Sequence, residues 1–142
     1  WRVLSPGAPF TEGRSYDEPK NNKYIILMTD GANWHGALSN HNKSWYHSFG
    51  YAVKGRLGST MTTSALIAQM NTKTLAACAN AKAAGLKIYT IAFRLESDAA
   101  TRALLASCAS SSSDSYAASD GTALISAFES IGREIAKLRV AG

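Results

Sequence analysis

Apolar residues fall into two short continuous runs and one long periodic one. The run Lys23-Tyr-Ile-Ile-Leu-Met-Thr29 is rich in strand formers and shows no alternation. It therefore predicts a strand buried on both faces, as in a parallel sheet covered by helices. Lys87-Ile-Tyr-Thr-Ile-Ala-Phe93 predicts a second such strand, and Ser115-Tyr-Ala-Ala118 a short third. Between the strands the pattern turns helical. Ser64 to Met70 predicts a short helix. Thr72 then stands where it could cap a second helix through Ala84, stopped by Gly85, with Leu75, Cys78, Ala79 and the stem of Lys82 inward. A further helix follows Ser97 as cap, with Asp98 in its first turn, and runs to about Ser107 with Leu104, Leu105 and Cys108 toward the core. The last helix, capped by Asp120 or Thr122, carries Leu124, Phe128, Ile131, Ile135 and Leu138 on one face.

Two stretches lack any period. Pro6, Pro9 and Pro19 with Gly7 and Gly13 block long elements in residues 1–22. Residues 32–59 gather Trp34, Trp45, Tyr46, Phe49 and Tyr51 with three histidines, too long a stretch for an ordinary connection. It predicts a structured excursion from one end of the sheet. Alternation of strands and helices implies right-handed crossovers and a parallel sheet, hence a layered α/β class. Three strands make that sheet thin, however. Tyr24 to Met28 has the composition of a central strand with no partner in sight for its other side. An open apolar edge is an aggregation risk, so missing strands from another segment of the same protein, or a second copy, are expected to cover it.

Composition narrows the classes. With 142 residues, 46% apolar and 18% charged, the chain can bury an ordinary core. Its longest apolar stretch, Tyr24–Met28, is far too short to cross a bilayer, and the opening Trp-Arg-Val-Leu-Ser-Pro is no secretory leader. Fifteen Lys+Arg against ten Asp+Glu give +5. The cations form no long run, which favours a solvated basic surface over a nucleic-acid site. Cys78 and Cys108 lack the spacing of a zinc or redox pair. Two buried thiols and one disulfide remain open as readings.

Among candidate sites, the strand-end pair Asp30-Gly31 ranks first. In an open parallel sheet ligands sit outside the carboxyl ends of the strands, and a carboxylate before a flexible Gly can reach a cation or its water. An ordinary turn is the plainer alternative. His35, His41 and His47 recur every six residues, which is no helical metal spacing. Gly-x-Ser-x-Gly and glycine-rich phosphate loops are absent. The aromatics from Trp34 to Tyr51 form either a satellite core or a surface that stacks on sugars or anchors a partner.

Several segments carry a family resemblance. Lys23-Tyr-Ile-Ile-Leu-Met-Thr-Asp-Gly-Ala-Asn33 resembles the fourth strand of a von Willebrand factor A-type domain, in particular that of TadG-like proteins of the Flp/Tad pilus assembly system. Trp1-Arg-Val-Leu-Ser-Pro6, Pro9-Phe-Thr-Glu-Gly13, Gly55-Arg-Leu-Gly58, Cys78 through Phe93, Leu105-Ala-Ser-Cys-Ala109 and the closing helix into Leu138-Arg139 match in order and spacing. The resemblance implies that residues 1–142 are the C-terminal part of one such domain, its first strands missing from this chain. It implies a metal-ion-dependent adhesion site in which an Asp-x-Ser-x-Ser, a later Thr and an Asp after the fourth strand hold Mg²⁺ or a similar divalent ion. Asp30 matches only that last Asp. Nothing here matches Asp-x-Ser-x-Ser or the Thr, and Thr11 belongs to the pre-strand segment. One water-bridged carboxylate holds such an ion poorly, so no stoichiometric metal binding by this chain alone is expected. The implied role is a non-enzymatic protein-interaction domain in the periplasm, anchored to the inner membrane in full length. Asp30, Gly31, Asn33, Trp34 and Trp45 are its candidate partner-binding residues, and an envelope glycan-binding module is the alternative. An oxidising compartment would also favour a Cys78–Cys108 disulfide.

Overall fold

The computed structural model describes residues 1–59 and 61–140, with side chains in the last helix described through Lys137. The elements run β1 (Tyr24–Thr29), α1 (Thr63–Ala83), β2 (Lys87–Phe93), α2 (Ala99–Cys108), β3 (Ser115–Ala118) and α3 (Gly121–Val140). They form two compact units, Trp1–Gly31 with Ala77–Gly142, and Ala32–Ala76. The fold is α/β. In the first unit β1, β2 and β3 make one parallel sheet in that order, with Tyr24 beside Lys87 and Thr90 beside Ser115.

Helices cover both faces of this sheet, which accounts for the uninterrupted burial of β2 from Ile88 to Ala92. On one face Ile88, Ile25 and Leu27 meet Cys78 and Ala81 of α1 and Cys108 of α2. On the other, Tyr89 and Ile91 meet Ala127 and Ile131 of α3. The layering expected from the strand–helix alternation is present.

Burial of β1 on both faces is not. β1 lies at the sheet edge, and its alternate residues Ile26 and Met28 are 41% and 47% exposed. Lys23 O accepts from Lys87 N. The alternation of a parallel ladder then turns the backbone groups of Tyr24, Ile26 and Met28 away from β2. An apolar composition reports how a strand could be covered, not whether this chain supplies the cover.

The helices correct further expectations. One continuous α1 replaces the two predicted helices. Thr62 caps it, its Oγ1 accepting from Ala65 N at 3.3 Å, while the Thr72 hydroxyl donates back to Ala68 O inside the helix. The stop at Gly85 holds: Gly85 N donates to Lys82 O and Leu86 N to Ala81 O, with Gly85 at φ +81°. Of the predicted inner face, Cys78 is buried, Leu75 and Ala79 are exposed, and Ala81 takes the inward position. In α2 the cap is Asp98, not Ser97. Its carboxylate accepts from both the N–H and the hydroxyl of Thr101, which holds it below the usual carboxylate range. Leu105 and Cys108 are buried there as expected.

In α3 the cap is Asp120, which accepts from Ala123 N at 2.8 Å. Its contact face is turned slightly from the predicted one. Ala127 is buried, and Phe128 is 42% exposed beside Ile125 at 62%. A small residue lets the helix approach Tyr89 and Ala118 closely, so packing selects position 127. The side chain of Leu138, also expected inward, lies outside the described residues.

The pre-strand segment is irregular, as its prolines imply, but it is fastened. Lys23, 9% exposed, donates to Leu4 O and Arg14 O and sits 4.1 Å from the Tyr16 ring centroid. Among the described residues no helix is long and apolar enough to cross a membrane.

The second unit is larger than the predicted excursion, since it takes in the first turns of α1. It has little regular structure: bridges at Ala37–Ser44 and His47–Gly50, and a 3-10 turn at Ala52–Lys54. Its core is Ala52, Leu57 and Leu66, with Phe49, Met61 and Met70 packed around them. Leu66 and Met70 lie one α-helical turn apart, so the start of α1 supplies the apolar wall that the loops lack.

Candidate functional site

The predicted site residues divide between the two units. Asp30 and Gly31 close β1 in the first. The Thr29 hydroxyl donates to Gly31 O at 2.8 Å and also accepts from Gly31 N, forming a tight turn. Asp30 is exposed at its crest, and among the described residues its carboxylate forms no salt bridge or side-chain hydrogen bond. The sequence thus places one uncommitted carboxylate outside the carboxyl end of the sheet. Among the described residues no group of three or more His, Cys, Asp or Glu gathers as a metal set. The donors around Asp30 therefore do not by themselves fit a tightly held divalent ion, which needs several oxygens.

Asn33, Trp34 and Trp45 belong to the second unit. Asn33 has a holding role there. Its amide donates to Asn71 Oδ1 at 2.9 Å and Thr74 Oγ1 at 3.2 Å, which ties the start of the unit to α1. The structure brings Trp34 and Trp45 together, with ring centroids 5.5 Å apart and planes 27° from parallel. Both indoles remain more than half exposed. Gly36 makes this possible: a Cβ there would stand 2.8 Å from Trp45 Cζ3 and 3.0 Å from Trp34 Cη2.

Behind the indoles lie two imidazoles. The His35 and His47 centroids are 4.0 Å apart at a tilt of 36°, and Trp34 meets His47 edge-on at 5.3 Å. His35 is wholly buried, and among the described residues neither of its ring nitrogens nor His47 Nε2 has a hydrogen-bond partner. Burial lowers the pKa of His35, and the neighbouring His47 lowers it further.

A titration follows with a definite sign. The unfolded chain binds a proton at His35 more readily than the folded one, so stability falls as the pH drops below the ordinary histidine value of about 6.5. The midpoint of thermal unfolding should fall between pH 7 and pH 5, with the emission of the adjacent indoles as reporter. A His35→Phe variant should lose the part of this dependence that tracks indole emission. Unchanged dependence in that variant would remove His35 as its source.

The expected disulfide is formed, joining Cys78 of α1 to Cys108 at the end of α2 with Cα atoms 5.2 Å apart. Close by, Lys82 donates to the carbonyls of Ser107 and Ala109, each at 3.0 Å. This satisfies orphan groups at the α2 terminus. The serine-rich loop after α2 is structural as well: Ser110 Oγ accepts from Ile88 N at 2.8 Å, and the Ser111 hydroxyl donates to Asp114 at 2.6 Å.

Sequence reasoning missed two features. Asp114, 4% exposed, pairs with Lys87 at 3.0 Å across the start of β2 and β3. The other is the charge of the second unit. All ten acidic residues lie in the first unit, against eleven of the fifteen cations, which gives 11 − 10 = +1 there. Lys43, Lys54, Arg56 and Lys73 give the remaining +4 to residues 32–76, which hold no Asp or Glu. Counting charge by segment would have revealed it. Compared with family models, curated proteins and solved structures, the chain matches none of them.

Proposed function

We propose that this chain is the C-terminal part of a von Willebrand factor A-type domain of a TadG-like pilus assembly protein, working as a non-enzymatic protein-interaction domain in the periplasm. The observation that carries this reading is the open edge of β1. Among the described residues its outward backbone groups have no strand partner, and Ile26 and Met28 expose apolar surface on the sheet face covered elsewhere by α3. The α3 flank bearing Ser130 and Arg133 lines a cleft with Tyr116 of β3. Phe128 of α3 adds further exposed apolar surface. Surface of this kind calls for a further strand and its covering helix. A preceding segment carrying Asp-x-Ser-x-Ser would add both, and would set metal-binding oxygens near the end of β1, where Asp30 is free.

The test compares this chain with a longer one that includes the preceding segment. Calorimetry with Mg²⁺ should give a saturable one-to-one site only in the longer chain, lost on Asp30→Ala. In cells carrying the gene, Met28→Arg and Asp30→Ala should each reduce pilus assembly. Normal piliation with both variants, or one-to-one Mg²⁺ binding by the short chain, counts against the reading.

A further inference from the structure

The Ala32–Ala76 unit holds a feature that the β1 edge and Asp30 do not explain. Its surface combines exposed aromatics with cations and has no carboxylate to balance them. Trp34, Trp45 and Tyr46 are 55%, 53% and 73% exposed, a large apolar outlay for so small a unit. They are built into place. Gly36 lets the two indoles lie over the backbone, and Tyr46 is set edge-to-face against Tyr51 at 5.1 Å.

Cations are carried by the same short loops. Lys43 occupies a left-handed position (φ 62°) at the tip closed by Leu38 N to Lys43 O, one bridge from Trp45. Val53 N donates to Asn42 O and Ala52 N to Ser44 Oγ, which brings the Ala52–Lys54 turn against that tip. Both lysines and Arg56 are exposed, and among the described residues none is salt-bridged. With no acidic residue in the unit, the fixed charges it contributes at neutral pH are all positive.

We infer that the Trp34–Trp45 face of this unit is a binding surface for an acidic polysaccharide, such as a uronic acid polymer. A sugar ring presents an apolar C–H face that fits the outer face of an indole, and its carboxylates accept hydrogen bonds from Lys43, Lys54 and Arg56. Aromatic and cationic groups then serve one ligand, each satisfying the part the other cannot. A nucleic acid fits less well. The two indoles stack on each other, which closes the slot between them to a base, and the cations make no track along a phosphate backbone.

The test is affinity measured at about 0.15 M salt, where exposed charges are screened beyond roughly 8 Å. The probes are polygalacturonate, neutral dextran and oligo-dT. Polygalacturonate should bind and dextran should not. Trp45→Ala should weaken binding about tenfold, the scale of one lost aromatic contact. The surface double variant Lys43→Asn/Lys54→Gln should weaken it by a similar factor and flatten its salt dependence. Melting curves that match the parent chain certify that each variant is folded. The inference is overturned if polygalacturonate is not bound, or if Trp45→Ala binds it as well as the parent does. It is equally overturned if oligo-dT binds more tightly with the same sensitivity to both variants. None of these outcomes touches the β1 edge.

Discussion

Replacing both Cys78 and Cys108 by Ser should destabilise the chain by about 3.6 kcal/mol, the chain-entropy value for a loop of this length. The bridge spans a sequence separation of 30 and links α1 to α2 on one face of the sheet. Its sulfurs are buried against Ile25, Leu27 and Ile88, so the two hydroxyls would also enter an apolar pocket without partners. The value is therefore a lower bound for Ser, and for Ala too, since losing the buried sulfurs leaves a cavity. Denaturant unfolding with and without reductant measures it on the native sequence. A shift below about 1 kcal/mol would mean that the unfolded chain is already compact in this region.

Lys87→Met should cost about 3 kcal/mol, the scale for leaving one member of a buried ion pair alone. Asp114 is almost wholly buried, and its remaining partner is the Ser111 hydroxyl. Lys87 itself is about one-third exposed, so most of the loss comes from the stranded carboxylate rather than from the lysine. Lys87→Met/Asp114→Leu should accordingly recover most of the stability. A double variant no better than the single one would show that the lysine stem, not the charge, was needed. The hydrogen bond to Asp114 is the main cause of a Lys87 pKa raised above the ordinary lysine value. Its contribution is thus complete below about pH 10 and is lost only as the pH rises through the raised value. The pair plays no part in acid sensitivity through the lysine, which separates it from the His35 effect.

The stranded β1 edge and the charged aromatic unit illustrate different limits of sequence reading. Ile26 and Met28 look like core residues because their chemistry is that of a core. Their exposure depends on what lies next to them, which composition does not encode. Lys43 and Lys54, eleven residues apart, look scattered until the Asn42–Val53 hydrogen bond draws their loops together. The spacing of Cys78 and Cys108 alone left thiols and a disulfide open, the family resemblance favoured the bond, and α1 and α2 bring the two sulfurs together on one sheet face.

What the sequence determined by itself was local. β2 spans the residues read from its apolar run, β3 likewise, and Gly85 stops α1 where a left-handed residue was required. Asp30-Gly31 was legible as a strand-end turn for the same reason, since each depends on a few neighbouring residues and their φ/ψ preferences. Tertiary structure decided much of the rest. It fused two predicted helices into one and put Ala127 rather than Phe128 against the sheet. At position 127 packing against Tyr89 and Ala118 set the outcome, whereas the cap of α2 was chosen within one turn, by the two hydrogen bonds from Thr101 to Asp98.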